Sequence, residues 1–235
     1  MRTDAILLIP QKSDEERESV LRTWISLGGK GQRLDRFWEK PAELENKKVA
    51  VYGNDTFALV LADIFNLKLI SPDDSLIARL EKKWTKRLIL EKQIDDVTEK
   101  DFPKFIKPVT PKQFKAKIYV TIDEFLQETK GLSSTEKILV SEIIKVAAEA
   151  RAFVLNRQLL DVAIYEGEAE RQIAEDFLFD FLKDLTFDLP NTCVIDIGYN
   201  SDQGWFLIEF NSSWGAGLNN CDPRKVIQSI IEATQ

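Results

Sequence analysis

The stretch TCVIDIGYNSDQGWFLIEFNSSWGAGLNNCD (Thr192–Asp222) reads as two strands joined by a short polar loop. In the first run Val194, Asp196 and Gly198 alternate with Cys193, Ile195 and Ile197; in the second, Leu207, Glu209 and Asn211 alternate with Phe206, Ile208 and Phe210. Successive side chains on a strand face opposite ways, so Glu209 and Asn211 share a face. A hairpin turning near Ser201–Asp202 places Asp196 opposite about Leu207 and makes Glu209 its diagonal neighbour, about 7–8 Å away between Cα atoms. That separation suits two carboxylates sharing divalent metal ions. Charges inside apolar runs are costly unless paired or coordinated. Asp196, Glu209 and Asn211 are therefore read as a candidate Mg²⁺ site beside a bound phosphate chain. The alternative is an edge hairpin with one polar, solvated face. Trp214-Gly215-Ala216-Gly217 follows at once, and glycines beside an aromatic allow close backbone approach to a ligand, or a tight turn with Trp214 in the core.

The remaining chain narrows the chemistry. It has 235 residues, no histidine and two cysteines, Cys193 and Cys221. The lack of histidine removes Ser-His-Asp triads, imidazole bases and histidine metal ligands. No CxxC is present, so zinc is not expected, and the two thiols are expected to be reduced. A net charge of −7 gives no electrostatic reason to bind nucleic acid or an anionic membrane. The apolar run at residues 5–9 is too short for a signal peptide or a membrane span, so a cytoplasmic location is expected.

From the N-terminus, Ala5–Pro10 reads as a buried strand, followed by a helix from Ser13 to Ser26 with Glu16 at the capping-box position. Gly28–Gly31 reads as a helix stop and loop; it follows a helix and lacks the hydroxyl of a phosphate loop. Lys48–Tyr52 and Leu67–Ser71 read as strands, with helices over Thr56–Phe65 and from Ser71 to about Arg87. This alternation implies a small parallel sheet, Rossmann-like in the broad sense, but no GxGxxG marks a dinucleotide site. Residues 88–101 read as a seam. Beyond it, strands are expected at Phe102–Pro108, Phe114–Val120, Ile138–Ile144, Val146–Leu155 and Gln158–Ile164. Helices are expected at Ile122–Glu128, Glu168–Leu185 and Arg224–Ala233. This half is α+β in character.

Lys107 ends a strand before a proline that fixes the backbone, which suits a phosphate ligand as well as a surface lysine. Glu149 and Arg151 lie two apart on a strand, so Arg151 is either a phosphate clamp or half of a surface ion pair. Ser141, Glu142 and Ile143 stand where a strand-to-strand hinge offers its backbone to a base.

At these residues a family resemblance emerges. Lys107-Pro108, Glu149-x-Arg151, Asp196-x-Gly198, Trp205-x3-Glu209-x-Asn211 and Trp214-Gly215-x-Gly217-Leu218 together resemble the ATP-grasp superfamily, most closely a small clade with additional Arg and Lys signatures. Gly28-Gly29, Phe37-Trp38 and Val51-Tyr52-Gly53 extend the resemblance over nearly the whole chain. It implies an α/β and α+β protein: a Rossmann-like pre-ATP-grasp domain over residues 1–90, then an ATP-grasp domain over residues 91–235 with ATP between two subdomains. It further implies an ADP-forming carboxylate–amine ligase using ATP and Mg²⁺ through an acylphosphate. Lys107 and Arg151 would be its catalytic cations. Lys107, Lys112, Ser141, Glu142, Ile143, Glu149 and Arg151 would contact the nucleotide. Asp196, Glu209 and Asn211 would hold the metal. Lys115 and Lys117 compete with Lys112 for the signature lysine. Trp214, Gly215, Gly217 and Asn219 would meet a small-molecule, peptide or protein acceptor; Asn219 stands where the clade leads one to expect an aromatic. Phosphoryl transfer needs charge neutralisation more than a dedicated base, which agrees with the lack of histidine. A non-catalytic nucleotide-binding module on the same fold is the main rival. A glycosidase using Asp196 and Glu209 leaves Lys107 and Arg151 without a role.

Overall fold

The structure is a computed structural model, and it describes residues 4–235. The chain divides into two compact units. The first takes the chain up to Pro72, then Ala148–Ile197 and Glu209–Gln235; the second takes Asp73–Ala147 and Gly198–Ile208.

The first unit begins with β1 (Ile6–Pro10), α1 (Glu15–Ser26), β2 (Lys30–Leu34), β3 (Val49–Val51) and α2 (Asp55–Phe65). β1 lies between β2 and β3 in a parallel sheet, with Leu7 beside Gly31 and Ala50. The centre of β1 is fully buried, which accounts for its continuous apolar run. β2 (KGQRL) was not foreseen. It lies at the sheet edge, where the ladder places the strand rather than apolar alternation. Gly29 is required here: a Cβ would meet the Trp24 ring at 2.2 Å. The cap of α1 is Asp14, which accepts from the Arg17 N–H, and not Ser13; Glu16 is thereby released from a capping box. The expected strand at Leu67–Ser71 is reduced to one antiparallel bridge, Leu69 to Thr234. Around it, Lys68 and Gln235 exchange backbone hydrogen bonds. Its partner is the far C-terminus, so no third βα repeat forms.

In the second unit the expected helix from Ser71 to Arg87 is absent. A single 3₁₀ turn (Leu76–Arg79) and the short α3 (Lys82–Thr85) replace it, because Leu80 and Glu81 are extended between them. β4 (Ile89–Gln93), β5 (Lys104–Pro108), β6 (Lys117–Tyr119), α4 (Ile122–Glu128) and β7 (Lys137–Ser141) follow. The antiparallel order is β4-β7-β5-β6. The stretch expected as a seam thus holds a strand, with Leu90 opposite Val140, followed by 3₁₀ turns. Lys107 stands opposite Leu139. One face of this sheet packs Ile106, Ile138 and Val140 with Phe125 of α4 and Tyr119. β7 ends at Ser141 rather than Ile144, and β6 is shorter than expected at both ends.

β8 (Ala148–Leu155), β9 (Gln158–Gly167), α5 (Arg171–Lys183), β10 (Thr192–Asn200), β11 (Gly204–Asn211) and α6 (Pro223–Glu232) complete the chain. Their sheet has the order β11-β10-β8-β9. β10 is therefore an inner strand, buried on both faces, which argues against the edge-hairpin alternative for Asp196. β11 is the edge. α5 buries Ala174, Leu178, Phe181 and Leu182, a one-sided stripe. α6 starts with Pro223 after the Asp222 cap and packs Val226, Ile227, Ile230 and Ile231 into a core shared with β1, α1, Phe153 and Val194. Cys193 and Cys221 are free, buried thiols, both pushed up to about 12 by burial. Among the described residues no helix is long and apolar enough to cross a membrane.

Candidate active site

In the first unit, β8, β10 and the end of β11 bring four of the expected residues together. Arg151 grips Asp196 with two parallel bonds, Nε to Oδ1 at 2.8 Å and Nη2 to Oδ2 at 2.7 Å. Its third arm, Nη1, donates to the carbonyl of Gly217 at 3.0 Å. Asn211 Nδ2 donates to Asp196 Oδ2 at 2.9 Å and to Glu209 Oε1 at 3.3 Å. The Asp196 side chain is 3 % exposed and that of Arg151 13 %. Burial pushes the Asp196 carboxyl up, and the Arg151 guanidinium opposes that push. Arg151 keeps its charge: burial works against it, and the bonds to Asp196 prevail. Tyr165 of β9 donates to Glu149, and its ring lies 6.0 Å from the Arg151 guanidinium carbon. Burial, then the Glu149 bond, raise the tyrosine hydroxyl.

Two carboxylates and an amide carbonyl are hard oxygen donors, the set that Mg²⁺ takes. Among the described residues no group of three or more His, Cys, Asp and Glu side chains is placed for a metal, so the amide of Asn211 is needed to complete this one. Asp196 and Glu209 both accept from Asn211 Nδ2, so the amide nitrogen, not its carbonyl, joins the two carboxylates. The three residue types fit the ion, and holding it would take a turn of the Asn211 amide and release of Asp196 from Arg151.

The turn after β11 is held from several sides. Gly53 N–H donates to the Trp214 carbonyl at 3.0 Å, and Trp214 Nε1 donates to Ser71 Oγ at 3.2 Å. Tyr52 OH donates to the Ala216 carbonyl at 2.8 Å. Leu218 and Asn219 N–H donate to the Glu16 carboxylate, each at 2.9 Å. Trp214 is buried and the Gly215 and Ala216 N–H groups turn back to the Ser212 carbonyl, which is the tight turn with Trp214 in the core. Asn219 and Asn220 adopt left-handed φ of 45° and 70°, which asparagine tolerates.

In the second unit, Lys107 and Ser141 line a small open cleft with Arg87, Ile77, Ile89, Phe105, Leu139 and Ile208. Arg87 was not foreseen. Its Nε donates to Ser141 Oγ at 3.0 Å, and its Nη1 donates to the Thr85 and Leu207 carbonyls, both at 2.9 Å. The Phe206 ring lies 5.2 Å from its guanidinium carbon, and burial lowers the group to about 10. Burial raises Asp74 while nearby Lys107 lowers it. The Glu142 carboxylate is engaged by its own unit. Its carboxylate accepts the Leu88 N–H at 2.8 Å and Lys82 at 3.4 Å, contacts that hold it below the usual range, the backbone bond foremost. Ile143 is half exposed beyond the end of β7. Of the three competing lysines, Lys117 is engaged by Glu124 at 2.6 Å. Lys112 sits in the β5–β6 loop with φ of 68°, and Lys115 bonds through its backbone to Glu128 and Tyr119.

Three contributors escaped sequence reasoning. Glu16 had no local signal, because its partners lie more than 200 residues away. Tyr165 is the single aromatic of β9, and no polar pattern around it marked it out. Arg87 carried the faint signal of a basic residue opening an apolar run.

Residues 84–229, more than half of the chain, match the family described as ATP-grasp domain, R2K clade family 2. The chain belongs to this family. Among solved structures, this ATP-grasp chain is similar to a D-alanine–D-alanine ligase from Bacillus anthracis complexed with ATP. That likeness has 13 % identity, 99 % of this chain and 97 % of that one covered, and a TM-score of 0.54. It is also similar to an L-amino acid ligase from Bacillus licheniformis (11 % identity, 99 % and 74 % covered, TM-score 0.59). A third likeness is to the ATP-grasp ligase PsnB complexed with a minimal precursor (12 % identity, 97 % and 99 % covered, TM-score 0.57). At such identities the likeness shows the mixed α/β ATP-grasp fold. No curated protein matches the chain.

Proposed function

We propose that the protein is an ATP- and Mg²⁺-dependent ligase that activates a carboxylate and joins it to an amine or similar nucleophile. The observation that carries this reading is the convergence of Asp196, Glu209 and Asn211 with Arg151, in a chain of the ATP-grasp family. Asp196, Glu209 and Asn211 would hold Mg²⁺. When bound, the ion neutralises phosphate charge. On this reading Arg151 accepts the γ-phosphate, and Lys107 and Lys112 meet the phosphate chain. Ser141, Glu142, Ile143 and Glu149 contact the remaining nucleotide, Glu142 and Ile143 through their backbone. A substrate carboxylate attacks the γ-phosphorus, ADP leaves, and the amine then displaces phosphate from the acylphosphate. The turn with Trp214, Gly215, Gly217 and Asn219 receives the acceptor, a small molecule, peptide or protein. The parallel sheet of β1–β3 serves as the Rossmann-like domain before the ATP-grasp part, and the reaction is cytoplasmic.

The rival, a binding module without turnover, draws on one observation: Arg151 and Asp196 satisfy each other. The same pair counts against a glycosidase, since an ion-paired Asp196 is a poor proton donor.

Thermal unfolding with ATP, with and without Mg²⁺, tests the proposal in wild type and Asp196→Ala. Ligand at a hundred times Kd stabilises by about 2.7 kcal/mol, roughly 5–10 °C for a chain of this size. The shift should need Mg²⁺ and vanish in Asp196→Ala. No shift at millimolar Mg·ATP would sink the proposal. ADP release with a panel of amino acids and peptides separates the ligase from the binding module.

A further inference from the structure

We propose that Glu16 is a positioning residue that holds Arg151 in place through a single peptide group. The two ends of the Gly217–Leu218 peptide carry opposite partners. Its N–H donates to Glu16 Oε2 at 2.9 Å, and its carbonyl accepts from Arg151 Nη1 at 3.0 Å. Glu16 Oε1 also takes the Asn219 N–H at 2.9 Å, so the carboxylate grips two successive amides. Hydrogen bonds in series polarise one another. An anion on the N–H end makes the carbonyl a better acceptor for the guanidinium at the other end.

Two further features fit this role. Asp14 caps α1, which leaves the Glu16 carboxylate for the turn. A side chain at Gly217 would push the Glu16 carboxylate from its place, since a Cβ there would lie 2.5 Å from Glu16 Oε2. The result is a polar chain from Glu16 through one peptide to Arg151, then to Asp196, Asn211 and Glu209. Arg151 thus has a fixed arm and an exchangeable edge. Nη1 stays on the turn, while the Nε/Nη2 edge on Asp196 is the one a phosphate would take. This last step rests on the proposed ligase reading; the positioning of Arg151 does not.

NMR of the full-length, ligand-free protein reads the Arg151 Nε–H directly through its exchange with water. In Glu16→Ala that proton should exchange about tenfold faster, the scale of coupling between groups in one network, together with the Leu218 and Asn219 amides. Glu16→Gln keeps one acceptor and should fall between. If Leu218 and Asn219 lose protection while Arg151 Nε–H is unchanged, Glu16 merely staples the turn and the proposal fails. Should Glu16→Ala not fold, Glu16→Gln and Gly217→Ala carry the same comparison. A second arm measures Mg·AMPPNP affinity by calorimetry. Glu16→Gln should weaken binding about tenfold with Arg151 present but less than about twofold in an Arg151→Lys background. An equal loss in both backgrounds overturns the proposal. Wild type that binds no Mg·AMPPNP overturns the ligase reading instead, and the exchange arm still decides the role of Glu16.

Discussion

Asp196 is 2 % exposed on a strand buried on both faces, and Arg151 opposes the burial that disfavours its charge. Removing one member of a buried pair strands the other. Arg151→Met should therefore cost about 3–5 kcal/mol in chemical denaturation, and replacing both residues with apolar ones of similar volume should recover most of that loss. A loss below about 1 kcal/mol in Arg151→Met would show that water reaches Asp196 freely. Lys107 lines a cleft, and Lys107→Gln should cut the Mg·ATP-induced shift by an amount equivalent to about a tenfold affinity loss. Arg87 combines both effects. Its bonds to Ser141 and the Leu207 carbonyl are buried, and Arg87→Ala should lower stability and nucleotide affinity together.

Asp161 of β9 ties three elements at once: Arg171 of α5 at 2.8 Å, Lys225 of α6 at 3.0 Å and the Asp222 N–H at the cap of α6 at 2.8 Å. Burial alone would raise its carboxyl, but the Asp222 N–H, Lys225 and Arg171 outweigh it, and the group is held below the usual range. A carboxylate with a depressed folded-state pKa contributes stability that is fully present above its unfolded value, near 3.9, and is lost as pH falls through the folded value. Wild type should thus exceed Asp161→Asn by about 2 kcal/mol at neutral pH, and the gap should close only below about pH 4. A gap that closes near pH 6 would assign the effect to another group. The elements also show what a sequence reveals. β10 and β11 were legible because Asp196, Glu209 and Asn211 interrupt otherwise apolar runs on matching faces; α4 forms over the expected residues, with Thr121 as its cap, accepting from the Glu124 N–H at 3.3 Å. β2 and β4 were not, because KGQRL and ILEKQ are polar edge strands placed by their ladders. The helix expected over 71–87 followed apolar spacing at Leu76, Ile77, Leu80 and Trp84, yet extended backbone at Leu80 and Glu81 breaks it, a tertiary override of propensity. In the site, the residues of the Asp196–Leu218 block were legible from local pattern. Glu16 was not, since nothing near it in the chain shares its partner.

Each compact unit is assembled from separated segments, and residues 198–208 complete a unit otherwise made by 73–147. Within that unit the late segment supplies the Leu207 carbonyl and the Phe206 ring to Arg87, and Ile208 to the cleft. A fragment of residues 73–147 should therefore fold poorly, with Arg87 deprived of the Leu207 carbonyl and the Phe206 ring, and linking residues 198–208 to it should restore a cooperative denaturation curve. A fragment that melts cooperatively without them would show that Arg87 finds other partners. The C-terminus plays a comparable part in the first unit, where Thr234 Oγ1 accepts the buried Val51 N–H at 3.1 Å. The buried Trp214 offers the experimenter an optical handle. Its indole N–H is bonded to Ser71 on the very turn that Glu16 and Arg151 hold, whereas Trp38 is 59 % exposed. With Trp38 and the partly exposed Trp84 replaced by phenylalanine, only Trp214 and the buried Trp24 and Trp205 still emit, and a shift of the emission band toward longer wavelength would report the loosening of that turn in stopped-flow mixing with candidate acceptors.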